Sequence, residues 1–471
     1  MKTKILLLSP PSTPEEEYKK FRDLGNIQQP LGLAYLAAVL EQSGREVKII
    51  DPNPLKLSGE DIINSIKKFR PDIIGISSST PNFLKAIDLC KKIKKTLNVP
   101  IIIGGTHITS VPEEILKYKC FDFGIIGEGE TTILELVEKI ENKEDVSNVK
   151  GIAYNDGGKL NKTEPRELIK DLDSLPFPAR HLIPPLEKYM PTRGTYKRLP
   201  LGTIITSRGC PYRCSFCNRA IFGNKFRHRS EKNVVDEIEI LIKKFNAKEI
   251  KFWDDAINVI PERLINICNE ILRRGIKIPW SCIARINGMD EPLLKKMKEA
   301  GCWQISYGIE SGNQKILDNI KKDLTISQIK EVVSTTNKAG IRTRGFFMLG
   351  LPGETKETMQ QTINFSKSLM LDIANFYITT PYPSTDLYED AKKSGELKKA
   401  SYNEYLTNFP DEISYVPNGL TAGLIKEYQW RAYKSFYLRL QYVIKQLFRI
   451  NSMEDLLNKL KNFLIIAELK K

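Results

Sequence analysis

Thr206-Ser207-Arg208-Gly209-Cys210-Pro211-Tyr212-Arg213-Cys214-Ser215-Phe216-Cys217-Asn218 sets three cysteines in a short loop with C-x3-C-x2-C spacing. The loop directly follows an apolar run, 201–206, that reads as a strand. Three thiolates can hold three corners of a cubic iron–sulfur cluster and leave the fourth iron without a protein ligand. An open iron accepts a small molecule, so the loop reads as reactive rather than structural. Zinc is the competing reading, but a structural zinc ion takes four protein ligands. The nearest spare candidate, His228, falls outside the compact loop on a basic segment. A disulfide framework fits less well, because the chain holds only 8 cysteines in 471 residues and begins without a secretory signal.

A chain of this length makes two or three domains, each with its own core. No apolar run reaches the length of a membrane span. The start, 1–9, is a short strand-like run leading into a polar segment, which is not the pattern of a signal peptide. A cytoplasmic, reducing location is expected, in keeping with free thiols. Lys and Arg exceed Asp and Glu by 72 − 57 = 15. The lysines are spread along amphipathic helices, so they read as solvated faces and do not by themselves indicate nucleic acid.

Upstream of the loop, apolar runs at 4–9, 47–51, 73–78, 101–104 and 123–126 alternate with helical patterns at 33–42, 59–69, 82–97 and 131–141. This alternation predicts a parallel α/β sheet covered on both faces, a Rossmann-like domain over residues 1–145. Ligands of such sheets bind at the carboxyl ends of the strands. Those ends are small and polar here: Ser77-Ser78-Ser79-Thr80, Gly104-Gly105-Thr106-His107 and Gly127-Glu128-Gly129-Glu130. Glycines admit a bulky ligand to the backbone and hydroxyls can bind its polar tail. Plain strand-to-helix turns with N-caps would look the same.

Residues 146–199 read as a hairpin, turning at Asn155-Asp156-Gly157-Gly158, followed by a proline-rich linker. From 200 to 385, six strand–helix units predict a partial TIM-like barrel, with strands at 201–206, 250–253, 280–284, 304–309, 343–349 and 373–379. Their carboxyl ends carry Asp254 and Asp255, Arg285, Glu310 and Ser311, and the glycine-rich turn Gly350-Leu351-Pro352-Gly353-Glu354. Thr325-x-x-Gln328 is a capping box. Cys90, Cys120, Cys268, Cys282 and Cys302 lack C-x-x-C pairing and read as buried thiols. Residues 386–471 read as a helical region, with apolar–basic helices at 430–439, 440–448 and 456–464 that pack on the barrel; a surface helix touching lipid headgroups is the other reading.

The cysteine spacing, with Phe216 directly before the last cysteine, resembles the radical S-adenosylmethionine (SAM) enzymes. That resemblance implies a [4Fe-4S] cluster on Cys210, Cys214 and Cys217 whose open iron chelates SAM's methionine part. Reductive cleavage then gives a 5′-deoxyadenosyl radical that abstracts hydrogen. It further implies SAM contacts at Phe216 (adenine), Asp254 and Asp255 (ammonium), Arg285 (carboxylate), Glu310 (ribose), Ser311, Gly350 and Gly353. Leu31-Gly32-Leu33-Ala34-Tyr35-Leu36-Ala37 and the two glycine turns are similar to the cobalamin-binding domain that precedes many such barrels. Cobalamin contacts are therefore expected at Leu31, Gly32, Ser77, Thr80, Gly104, Gly105, His107, Gly127, Glu128, Gly129 and Glu130. The chain departs from one cobalamin pattern, Asp-x-His-x-x-Gly, so no histidine is expected on cobalt. The resemblance implies methyl transfer to an unactivated carbon, with ring formation as in the anaerobic porphyrin cyclase as the alternative. Modification of tRNA, as by methylthiotransferases, and a cobalamin carrier or sensor are further readings. Expected partners are a small-molecule or lipid-like substrate and reduced flavodoxin or ferredoxin, in anaerobic chemistry, with peripheral membrane contact and no nucleic acid.

Overall fold

The alternating pattern builds two separate sheets in the computed structural model, which describes residues 2–12, 27–192, 194–398 and 401–447. The first sheet has the order β2-β1-β3-β4-β5-β6-β7. Its strands are β1 (Lys4–Leu8), β2 (Glu46–Ile50), β3 (Ile73–Ser77), β4 (Ile101–Gly104), β5 (Phe123–Ile125), β6 (Ile152–Asp156) and β7 (Lys159–Lys162). β1 to β5 run parallel in the 2-1-3-4-5 order of flavodoxin-like folds. Successive β1 residues point to opposite faces. Ile5 and Leu7 pack under helices α1 (Leu31–Gln42) and α4 (Glu130–Asn142), Leu6 and Leu8 against α2 (Gly59–Phe69) and α3 (Phe83–Lys94). The hairpin β6–β7 joins this sheet antiparallel, Phe123 facing Tyr154 and Ile125 facing Ile152. The hairpin thus forms over the stretch read as one and extends the first sheet past residue 145.

The second sheet is an open barrel of six parallel strands in sequential order. They are β8 (Leu201–Ile204), β11 (Glu249–Phe252), β12 (Trp280–Ala284), β13 (Cys302–Glu310), β14 (Arg342–Leu349) and β15 (Ile373–Ile378). A two-residue pair, β9 (Ser207–Arg208) with β10 (Arg227–His228), braces the start of the cysteine loop. Ile250, Phe252, Cys282, Ile305, Tyr307, Phe347 and Phe376 form the apolar layer between barrel and helices. The Thr325–Gln328 capping box forms as the spacing predicts, Gln328 N donating to Thr325 Oγ1 at 3.2 Å and Thr325 N to Gln328 Oε1 at 2.9 Å.

An open barrel leaves two strand edges with unpaired peptide groups, which need cover. A helix, Ala422–Tyr437, covers β15. Gln429 Nε2 donates to Phe376 O at 2.7 Å, Tyr437 Oη to Ala374 O at 2.9 Å, and Phe376 N donates to Tyr433 Oη at 3.3 Å. The aromatic helix therefore packs on the barrel, as expected. At the β8 edge, Gln29 Nε2 donates to Leu201 O at 2.9 Å and Arg180 Nη2 to Thr203 O at 2.6 Å. Arg180 also pairs with Glu237 at 2.5 Å, deep between the sheets. The expected helix at 456–464 lies outside the described residues. Among the described residues no helix is long and apolar enough to cross a membrane.

Candidate active site at the cysteine loop

Gly209 makes the turn into the loop at φ +82°, and a Cβ there would come within 2.4 Å of the Lys225 carbonyl oxygen. Only glycine fits that combination. Upstream of the turn, Asp254 Oδ1 accepts from Thr206 N (2.9 Å), Thr206 Oγ1 (2.9 Å) and Ser207 Oγ (2.5 Å). Asp254, expected at SAM's ammonium, fixes the loop's entry strand through this oxygen, while its other oxygen, Oδ2, is buried without a partner among the described residues. Arg208 donates to Glu128 Oε1 at 2.9 Å and Glu130 Oε1 at 2.5 Å, with its guanidinium between the rings of Tyr35 and Phe222. Arg227 adds a second cation on Glu128 at 2.8 Å. The expected cobalamin contacts Glu128 and Glu130 are thus tied to the cysteine loop, as counter-charges to buried Arg208 and half-buried Arg227.

Cys210, Cys214 and Cys217 sit together with Asp255 and Arg285. Crowding by the surrounding protein, then the charge of Asp255 and the two other thiols, raises Cys217, although its residue surface stays exposed. Burial likewise raises Cys210 and Asp255, the latter also through Asp254 and despite the Gly209 amide. Arg285 stacks on Tyr212, 3.6 Å from the ring centre, and donates from Nη1 to Cys214 Sγ at 3.4 Å and from Nη2 to Lys322 O at 2.5 Å. Among the described residues no group of three or more His, Cys, Asp or Glu is drawn together tightly enough to hold a single metal ion. The donor set still fits a cluster. Three soft sulfur ligands lie in one loop beside Arg285, and iron coordination would hold them as thiolates.

Glu310 closes β13 at φ +66°, where the register with β14 slips. Such a bulge re-aims a side chain at a conformational cost of about 1–2 kcal/mol for a residue other than glycine. Its carboxylate accepts from Lys322 Nζ at 2.7 Å, and that ammonium lies 5.7 Å over the Phe216 ring. Phe216 also packs on Ile316, Ile320 and Leu351. Gly350 and Gly353 both have positive φ, and Glu354 ties their turn by accepting from Gly350 N (2.6 Å) and Leu351 N (3.0 Å). Burial raises Glu354 to about 8. The buried Ser311 hydroxyl is bonded to Thr362 Oγ1 at 3.1 Å and accepts from Asn313 N at 3.2 Å, and so caps the turn.

The turns of the first sheet face this loop. Asn218, next to the last cysteine, donates to Ser110 Oγ at 3.0 Å, and Ser384 Oγ donates to the same oxygen at 3.0 Å. Ser110 ends the short helix after β4. Cobalamin fits the turns on two grounds. A Cβ on Gly127 or Gly32 would meet nothing within 4 Å, which leaves backbone open to a ligand, and Ser78 Oγ is buried without a partner. Leu31 is buried in the first turn of α1, and Ser77, Gly104, Gly105 and Gly129 sit at the same end. His107 stands on the short helix Thr106–Ser110 that follows β4. It is fully buried, bonded to Thr80 Oγ1 at 3.2 Å, and packed against Phe83 (3.9 Å) and Tyr402 (4.6 Å). Its Nε2 is buried without a hydrogen-bond partner among the described residues.

Sequence reasoning missed Lys322, Tyr212 and Arg208 as partners of the site. Tyr212 and Arg208 stand within the cysteine loop and could have been flagged by that adjacency. Lys322 lies in Lys321-Lys322-Asp323, which carries no signal separating it from a solvated turn.

The B12 binding domain model matches residues 21–137 and the Radical SAM superfamily model residues 204–366. The chain is 37% identical to "Uncharacterized methyltransferase PH0819" of Pyrococcus horikoshii, over 94% of this chain and 95% of that protein. It is 30% identical to an anaerobic magnesium-protoporphyrin IX monomethyl ester cyclase of Cereibacter sphaeroides, over 87% of this chain and 67% of that protein. The fold is shared with a radical SAM methyltransferase, TsrM, from Kitasatospora setae, solved with cobalamin and a [4Fe-4S] cluster, at a TM-score of 0.72 and 19% identity over 93% and 89% of the two chains. Taken with the open-iron cysteine loop and the glycine turns facing it, these matches make the chain a member of the cobalamin-binding radical SAM enzymes, with cobalamin, SAM and a [4Fe-4S] cluster as its cofactors.

Proposed function

We propose that the enzyme transfers a methyl group from SAM, by way of cobalamin, to an unactivated carbon of a small or lipid-like molecule. The observation that carries this reading is the Asn218–Ser110–Ser384 junction, which joins the cysteine loop to the turns of the first sheet. Two cofactor sites held face to face suit a reaction in which one makes a substrate radical and the other supplies the group it captures. SAM and the cluster supply the radical when bound, and cobalamin the methyl carrier. Within the chain, Cys210, Cys214 and Cys217 hold the iron, Arg285 steadies the sulfur of Cys214, and Asp255 receives SAM's ammonium. Glu310 faces the ribose and the Gly350–Gly353 turn the adenine. The likeness to PH0819, named a methyltransferase, points the same way.

Anaerobically reconstituted enzyme given methyl-deuterated SAM and a small-molecule extract tests this by untargeted product analysis. Methyl transfer yields S-adenosylhomocysteine together with 5′-deoxyadenosine, and a deuterated methyl in the product. The cyclase likeness supports a second reading, ring formation. That reaction yields 5′-deoxyadenosine without matching S-adenosylhomocysteine, and a product that never gains deuterium replaces the first reading with it. Reduced flavodoxin or ferredoxin in the cytoplasm is the electron donor on either reading. A peripheral membrane contact would use the helix Leu440–Leu447, where Leu440 is 73% and Ile444 43% exposed.

A further inference from the structure

The barrel lumen holds a row of polar groups whose hydrogen bonds are unmet. Thr203 on β8 stands in register with Lys251 on β11, and Lys251 with Ser281 on β12. Their chain neighbours Ile204, Phe252 and Cys282 belong to the apolar layer under the helices, so alternation turns this row inward. All three are buried, with 8%, 7% and 2% exposed. Among the described residues Thr203 Oγ1 and Ser281 Oγ have no hydrogen-bond partner. The Lys251 ammonium likewise has neither hydrogen bond nor ion pair there, only the Trp253 ring at 4.5 Å.

A second cation points into the same lumen from β14. Arg344 Nε donates to Asn375 Oδ1 at 2.8 Å. Burial, with the Arg344 charge adding to it and Glu249 opposing, lowers Lys251 to about 7. The lumen's carboxylates are already engaged. Glu249 accepts from the amides of Lys197 (2.6 Å) and Arg198 (2.7 Å) and from Trp303 Nε1 (2.8 Å), and Glu310 accepts from Lys322. A buried cation without a counter-charge is costly, and proteins keep one where a ligand supplies the charge.

We propose that this row seats an oxyanion of the substrate, a carboxylate or a phosphate-type group, held by Lys251 and Arg344 with the hydroxyls of Thr203 and Ser281. Thr203, Lys251 and Trp253 line a small cavity of about 20 Å³ together with Gln29, Tyr189 and Thr195, while Ser281 and Arg344 stand outside its lining. That is room for a head-group oxygen but not for a ring. Lys251 precedes Asp254 by three residues of strand, roughly 10 Å. The anionic head would therefore sit roughly 10 Å below the strand-end residues of the site. The inference rests on the proposed function only in placing the substrate within the lumen.

Thermal unfolding of the full chain tests it without turnover. Propionate and methylphosphonate are titrated against chloride and propionamide at matched ionic strength, in wild type, Lys251→Met and Arg344→Met. The expected result is a saturable rise in Tm with at least one oxyanion and a half-saturation at least tenfold higher in each variant. Whichever anion saturates lower identifies the head group. Lys251→Met is also expected to melt above wild type without anion, because it removes the unpaired charge. No oxyanion-specific rise in wild type overturns the proposal, as does a rise that both variants keep. Should Lys251→Met fail to fold, the wild-type titration and Arg344→Met decide. A negative result leaves the methyl-transfer reading standing, and failure of methyl transfer leaves the anion titration unchanged.

Discussion

Arg208 Nη1 donates to Glu128 Oε1 at 2.9 Å across the boundary between the two sheets, 80 residues apart in the chain. The pair couples a turn of the cobalamin-binding sheet to the strand that enters the cysteine loop. Both side chains are buried, so removing one partner leaves a charge without water or counter-ion. Glu128→Gln deprives Arg227 of its carboxylate as well. A loss of about 3 kcal/mol in chemical denaturation is expected. Iron content after reconstitution should fall with it, because Arg208 directly precedes Gly209 and Cys210.

The loop itself can be probed in two steps. Replacing Cys210, Cys214 and Cys217 together by alanine should remove about four irons per chain and the visible absorbance of the cluster. Gly209→Ala keeps every ligand but drives a methyl group to within 2.4 Å of the Lys225 carbonyl oxygen, at a φ of +82°. It should lower iron content with the cysteines intact. Full occupancy in that variant would mean the turn can relax and does not set the ligand geometry.

His107 gives a pH dependence of known sign. Burial, with a smaller repulsion from Lys117, lowers it to about 4, against 6.5 in the unfolded chain. The unfolded state therefore takes up the proton first, and stability is complete above pH 6.5 and lost as pH falls toward 4. The difference corresponds to about 3 kcal/mol. Urea midpoints between pH 4.5 and 7 should slope in wild type, and the slope should flatten in His107→Phe.

The same burial bears on cobalt. His107 is enclosed by Phe83 and Tyr402, His181 is paired with Glu41 at 3.0 Å, and His228 is bonded to the Arg229 carbonyl oxygen at 3.2 Å. The chain has no other histidine. Paramagnetic resonance of the cob(II)alamin form should show no nitrogen splitting from a protein ligand. Splitting that vanishes in one of the three histidine variants would place the cofactor on that residue.

The strands of both sheets could be read from the chain because each is a short apolar run between amphipathic helices, a signal carried within a few residues. The hairpin could not be assigned that way. Its own turn is local, but its partner is β5, and the pairing of Phe123 with Tyr154 leaves no mark on either segment. The site divides similarly. Spacing marks the three cysteines, whereas nothing local marks the pairing of Glu128 and Glu130 with Arg208. The bond between Ser311 and Thr362, 51 residues away, is equally unmarked. Strand-end position tells which residues reach the carboxyl face, and long-range side-chain pairing then decides which stay available.

Arg285 offers the sharpest separation of a tuning role from a structural one. Its guanidinium lies on the Tyr212 ring and donates to Cys214 Sγ, and its backbone N–H donates to Asn258 Oδ1 at 2.9 Å. A cationic donor to a ligating sulfur stabilises added negative charge, so it raises the cluster's reduction potential. Arg285→Lys keeps a positive charge but loses the planar stack and the fixed fork; Arg285→Met loses the charge as well. The expected order of midpoint potentials is wild type, then Lys, then Met, each more negative, at equal iron content. The rate of reductive SAM cleavage should change with it. If iron content drops in step with potential, Arg285 acts by holding the loop, and if the potential stays fixed while cleavage falls, its part lies with the SAM carboxylate instead.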